Sequence, residues 1–227
     1  WQVIRSYYYG SITFLDAMIG RVLDHLQRRG LADRTLVLFT ADHGDLLGDF
    51  GSCFKSVHLN GSVRIPFLAA GPGVAAGRVS QALVGLQDLL PTLAAAAGTA
   101  PDRPVHGRDL GGVLADPGKS VRPFYYATTR NGLSQSAMVC DGAWKYIYTE
   151  ANGVEELYDQ ADLAERRNAA TDPNQRERRE TMRRQLADAA RTFGDEGLLE
   201  GDGFKKFMVD RTAFLKLPVA GMGWRWY

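Results

Sequence analysis

Asp42 and His43 stand side by side in FTADHGDLLGDFGSCFK, residues 39–55. A carboxylate and an imidazole on adjacent loop residues can both face one cation if the chain turns between them, and Gly44 permits such a turn. A divalent metal accepts a carboxylate oxygen and a neutral imidazole nitrogen. The same triplet also suits a plain turn, with Asp42 accepting from backbone amides and His43 on the surface; three residues alone do not separate the two readings. Asp45 and Asp49 suit loop support or solvent better than a direct bond to a metal. A single lysine, Lys55, closes the stretch.

The corner needs elements to hold it. Thr35 to Phe39 is a continuous apolar and β-branched run without alternation, which predicts a strand buried on both faces, as in a parallel sheet covered by helices. Ligands of open α/β sheets bind beyond the carboxyl ends of the strands, where Asp42 and His43 fall. Before the strand, Tyr8, Ile12, Leu15, Ile19, Val22 and Leu26 recur at spacings of four and three, predicting an amphipathic helix over 7–29 that Gly30 ends. Helix followed by strand indicates an α/β architecture. Pro66 to Ala70 is a second strand, closed by Gly71-Pro72-Gly73. A short helix is predicted over 88–97, with Asp88 as cap and Pro91 in its first turn. Residues 99–120, rich in Pro, Gly and Asp, read as a long connection.

Beyond residue 120 the pattern becomes that of a small antiparallel sheet. Phe124 to Tyr126, Ser136 to Cys140, Ala143 to Tyr148 and Glu156 to Tyr158 are its candidate strands, and Asp141-Gly142 is a hairpin signal of the I′ kind. Asp172-Pro173 opens a charged helix over about 173–193, with Met182, Leu186 and Phe193 inward. Its arginines alternate with glutamates and read as a solvated face rather than a nucleic-acid patch. Trp224, Trp226 and Tyr227 are candidates to pack back on the body. This gives two domains, 1–120 and 121–227.

The totals exclude some partners. The 227 residues are 45% hydrophobic and 23% charged with net charge +1, ordinary for a globular protein. No global field points to nucleic acid or an anionic membrane, and no apolar run approaches the roughly 20 residues that span a bilayer. Cys53 and Cys140 make neither a disulfide framework nor a zinc motif. Targeting and compartment are not legible in these residues.

Three segments, YYYGSITFLDAMIGRVLDHLQRRGLADRTLVLFTADHGDLLGDFG, FKSVHLNGSVRIPFLAAGPGV and LQDLLPTLAAAAG, resemble in order the second half of a sulfatase catalytic domain. WKYIYTEANGVEELYDQADLAERRNAA resembles the sulfatase carboxyl-terminal subdomain. The similarity covers about residues 7–175 and is specific as a set. It implies part of an alkaline-phosphatase-like mixed sheet flanked by helices, with a small antiparallel sheet and helix behind it. The implied activity is hydrolysis of sulfate esters, with phosphodiester and phosphonate monoester hydrolases as close relatives.

The resemblance also implies residue roles. Asp42 and His43 match two metal ligands, the metal usually being calcium. Many relatives carry Asn where His43 stands; an imidazole leaves manganese or zinc open. Lys55 matches the lysine that contacts the sulfate oxygens, where a fixed ammonium stabilises the spread negative charge of the group in transfer. His58 could reach a substrate group or lie on the surface. Phe50 replaces a histidine common in relatives, so that position has no polar role. His25, His106 and Asp16 read as surface groups and Arg64 as a loop anchor.

The C/S-x-P-x-R motif, from which sulfatases make their formylglycine nucleophile, is not found around Cys53, Cys140 or Ser62, and no acidic pair opens the chain. The resemblance therefore implies the carboxyl-terminal part of a larger enzyme, with negligible turnover by itself, and with strand edges and apolar faces exposed where neighbouring strands are lacking. A rival of another class is a non-catalytic relic or scaffold whose corner holds a metal or nothing.

Overall fold

The computed structural model describes residues 1–131 and 134–208; Trp224, Trp226 and Tyr227 lie outside the described residues. Contacts divide the chain into two compact units. The first comprises 1–125, 140–145 and 158–167, and the second the remaining segments.

In the first unit, helix α1 runs Gln2–Arg28, five residues earlier than the apolar stripe predicts, since Trp1 and the turn after it continue the same helical geometry. Its end is a Schellman closure: the Gly30 amide donates to Gln27 O and the Leu31 amide to Leu26 O, both at 3.0 Å, with Gly30 at φ +60°. The stripe forms as predicted, but no residue of α1 is buried. Tyr8, Ile12, Leu15 and Val22 are all exposed.

Strand β1 (Val37–Thr40) pairs with β2 (Phe67–Ala70), Val37 opposite Ala70 and Thr40 opposite Phe67. The pair is antiparallel, not parallel as the continuous apolar run suggests. An apolar run reports burial of both faces; it carries no information on the direction of the strand beside it. Every residue of β1 is half-buried. The short helix α2 (Asn60–Val63) lies on the return path between these strands.

Helix α3 (Leu89–Ala96) takes the predicted place, with Asp88 at its N-cap and Gly98 beyond its end at φ +73°. The Asp88 carboxylate is not spent on the helix amides. Fully buried, it accepts from the Gly85 amide (2.9 Å), the Arg108 amide (2.8 Å) and two nitrogens of Arg122 (2.7 and 2.5 Å). Thr92 continues the tie: its hydroxyl donates to Asp88 O and accepts from the Leu110 amide. The stretch 99–120 is thus more than a connection. It contains α4 (Gly111–Ala115) and buries Leu110 and Val113. One of its glycines serves close approach: a Cβ on Gly107 would lie 1.8 Å from Gln87 O.

Strands β3 (Tyr125–Asn131), β4 (Ser134–Cys140), β5 (Trp144–Thr149) and β6 (Val154–Asp159) form one sheet in sequence order. Only Gly142 has positive φ at the β4–β5 turn, +91°. A I′ turn needs positive φ at both central residues, so the predicted I′ turn does not form. The Asp141 carboxylate takes the place of a second glycine by accepting from the Ala143 and Trp144 amides. In the second unit, α5 (Arg176–Phe193) buries Met182 and Leu186, while Phe193 stacks on Tyr126 at 5.4 Å. Asp172 accepts from the Asn174 amide as the helix begins. A two-residue pair, β7 (Leu199–Glu200) and β8 (Gly203–Phe204), follows. Among the described residues, no helix is long and apolar enough to cross a membrane.

Candidate functional site

Two residues past the end of β1, the Asp42 carboxylate folds back on its neighbour. Oδ1 accepts from the His43 amide at 2.9 Å, and Oδ2 lies 3.5 Å from His43 Nε2. The Asp42 side chain is 84% exposed and that of His43 39%. The amide contact belongs to the plain-turn reading; the ring contact goes beyond it. His43 Nδ1 lies 2.8 Å from Gly44 O. A carbonyl oxygen only accepts, so Nδ1 carries the proton of that bond. Nε2 then faces the carboxylate with a lone pair, and two acceptors confront each other. A second ring proton or a bound cation resolves the conflict. Two donors on one divalent ion, with bonds of about 2.1–2.4 Å, stand roughly 3–3.5 Å apart, which the observed spacing matches.

Gly44 is essential here for space rather than for its torsions. It is not among the positive-φ residues; instead its amide donates to Ser62 O at 2.7 Å, and a Cβ would lie 2.1 Å from Gly61 O. The corner is thus seated on α2.

The loop that follows is tied internally. Asp45 Oδ1 accepts from the amides of Leu47 (2.8 Å) and Phe54 (3.0 Å), and buried Leu46 donates its amide to Phe54 O at 3.0 Å. Asp45 is therefore a loop support. Asp49 is turned to Arg5 at 3.4 Å. Arg5 Nε also donates to Leu47 O at 2.7 Å. Four non-glycine residues of this loop, Leu47, Phe50, Phe54 and Ser56, have positive φ. Lys55 stands exposed between the last two. His58 is buried, 4% exposed, so the surface reading of that residue does not hold. Phe50 is exposed. Among the described residues, no group of three or more His, Cys, Asp and Glu forms a metal centre; Asp42 and His43 are a pair of donors.

The sulfatase family profile matches residues 2–99. The choline-sulfatase of Rhizobium meliloti (strain 1021) is 35% identical over 173 residues, which cover 74% of this chain and 33% of that protein. A protein solved in complex with its substrate D-glucosamine-2-N,6-O-disulfate superposes with a TM-score of 0.76 over 81% of this chain and 40% of that one; at 24% identity this speaks to the fold alone. The phosphonate monoester hydrolase of Agrobacterium radiobacter gives a TM-score of 0.72 at 26% identity, over 83% and 41%. The chain spans about a third of the length of the curated relatives it matches. Sequence and fold together make it a member of the sulfatase family.

Proposed function

We propose that this chain carries one wall of the active site of a sulfuric ester hydrolase, with Asp42 and His43 on a divalent metal and Lys55 on the sulfate oxygens. The carrying observation is the orientation of His43: its Nδ1–H is occupied by Gly44 O, and Nε2 is left beside Asp42 Oδ2 at the spacing of two ligands. Imidazole ligands are commonly oriented in this way through their other nitrogen. The metal, when bound, would draw charge from the ester oxygens it holds. Lys55 adds a compact positive charge for the negative charge that spreads over those oxygens. Its neighbours support this, since left-handed non-glycine residues gather where a loop must present a group in one fixed way. His58, buried three residues further on, is the remaining candidate for a substrate contact.

Sulfatases generally combine a divalent metal with a formylglycine. No formylglycine motif occurs in these 227 residues, so the nucleophile has no assigned residue here. Calcium is the family's usual metal. An imidazole donor leaves manganese or zinc open, and that supports a second reading, hydrolysis of phosphonate monoesters, the activity named for the Agrobacterium relative.

Metal analysis tests the first assignment. Asp42→Ala should sharply reduce bound metal, and unchanged metal content would reject it. On the whole enzyme, Lys55→Ala should lower kcat roughly 100-fold, the scale of losing one preorganised donor. A rise in KM alone would make Lys55 a uniform binder instead. Paired sulfate and phosphonate esters of one alcohol decide between the two chemistries.

A further inference from the structure

We infer that the buried Lys145–Glu165 pair is a positioning device for the Asp42–His43 corner, acting through Asn60 and helix α2. Both side chains are 1% exposed, and Lys145 Nζ meets Glu165 Oε1 at 2.5 Å. Neither charge belongs to the proposed chemistry, and both converge on one residue. Lys145 Nζ donates to Asn60 Oδ1 at 2.9 Å, and the Asn60 amide donates to Glu165 Oε2 at 2.6 Å. Asn60 Nδ2 in turn donates to Leu163 O at 3.2 Å. Asn60 is therefore held at its backbone and at both ends of its side-chain amide.

From Asn60 the path to the corner is short. Asn60 is the first residue of α2, and the last turn of that helix supplies the two carbonyls on which Gly44 rests. Ser62 O accepts the Gly44 amide, and Gly61 O occupies the space a Cβ on Gly44 would need. Gly44 O is the acceptor that fixes the His43 ring. Each link is a hydrogen bond or a close contact with little freedom, so a displacement at Asn60 reaches the donor pair. Residues 140–145 and 158–167 group with the first unit, so the whole path lies within one compact body.

A stabilising role explains the pair poorly. Burying two charges costs about as much as their attraction returns, and well-packed apolar replacements are often neutral. What such a pair does provide is direction: an ammonium and a carboxylate accept few arrangements, whereas apolar groups accept many. Glu165 holds this arrangement at φ +51°, a backbone conformation that is unfavourable for glutamate.

The inference rests on the metal reading of Asp42 and His43, and the experiment separates the two. Mn2+ is titrated into the full chain and free Mn2+ is followed by electron paramagnetic resonance, with amide exchange of Gly44 and Leu186 measured in parallel. Lys145→Met/Glu165→Leu removes both charges together, leaving no lone ion inside. The expected result is a Mn2+ affinity about 10- to 100-fold weaker, the scale of losing a group that orients a ligand. Gly44 exchange should rise at least about 10-fold, and Leu186, in the core of α5, should stay unchanged. Where Asp42→Ala abolishes Mn2+ binding, a wild-type Mn2+ affinity in the double variant with Leu186 exchange unchanged overturns the inference. If Leu186 also exchanges faster, the variant has loosened as a whole. Asn60→Ala, which keeps the ion pair and removes only the side-chain links, then decides by the same two readouts. If Asp42→Ala leaves Mn2+ binding intact, the metal reading fails, and Gly44 exchange alone judges the pair.

Discussion

Gly44→Ala is the most direct test of how the corner is seated. The added Cβ would stand 2.1 Å from Gly61 O, where 3.4 Å begins ordinary contact; the deficit is 3.4 − 2.1 = 1.3 Å. The neighbour is backbone in the middle of α2, so no side chain can swing aside. Either the Asp42–Gly44 turn or α2 must move by about that distance, and the 2.7 Å bond from the Gly44 amide to Ser62 O cannot survive the move intact. Overpacking of this kind costs about 1–3 kcal/mol, and a lost hydrogen bond about 0.5–1.5 kcal/mol. The expected loss is then roughly 1.5–4.5 kcal/mol in urea unfolding of the chain. Gly20→Ala is the internal control. It lies within α1, nothing stands within 4 Å of its Cβ position, and it should gain roughly 0.5–1 kcal/mol from helix propensity. Gly44→Ala should also weaken Mn2+ binding, because Gly44 O orients His43. A Gly44→Ala protein with the wild-type unfolding midpoint would refute the close approach, and with it the path from α2 to the corner.

Other outcomes follow from the interior. Burial by itself would raise the Asp88 carboxyl, but the Arg122 hydrogen bonds and the Arg108 and Gly85 amides outweigh it and hold the group below its ordinary 3.8. A carboxyl depressed in the folded state contributes stability that is present above its unfolded pKa and lost as pH falls through its folded one. Stability should therefore drop below about pH 4, and Asp88→Asn should flatten that part of a pH series of unfolding midpoints; an unchanged slope would acquit Asp88. Arg122→Leu leaves the buried carboxylate without its ionic partner and should cost about 3–5 kcal/mol by urea titration. Burial raises the pKa of the Cys140 thiol, so iodoacetamide should label it slowly at neutral pH and quickly once urea unfolds the chain; rapid native labelling would contradict its placement.

Much of the scaffold was readable because it rests on local rules. The four-and-three stripe of α1, the glycine past its end, and Pro91 in the first turn of α3 each follow from backbone geometry and short-range packing. Strand direction did not follow, since a run such as Thr35 to Phe39 reports only that both faces are apolar. The role of Gly44 was misjudged for a related reason. Glycine serves torsional freedom and close approach equally, and the second depends on Gly61, seventeen residues away. The proposed roles of Asp42, His43 and Lys55 start from residue types that stand out in a short loop, and the family resemblance, not the loop alone, is what assigns Lys55 its part. The sequence reading passes over Lys145, the one charge within an otherwise apolar and aromatic strand, because its partners at 60 and 165 are distant in sequence and neither sits in a pattern of its own.

The first unit is drawn from three separate stretches of chain, so the backbone passes between the units at 125/126, 139/140, 145/146, 157/158 and 167/168. No single cut or gene crossover can exchange one unit and leave the other whole. A shortened chain ending at 125 would keep Asp42, His43 and Lys55 yet forfeit Lys145 and Glu165. Shuffling experiments on such proteins should therefore move both units together.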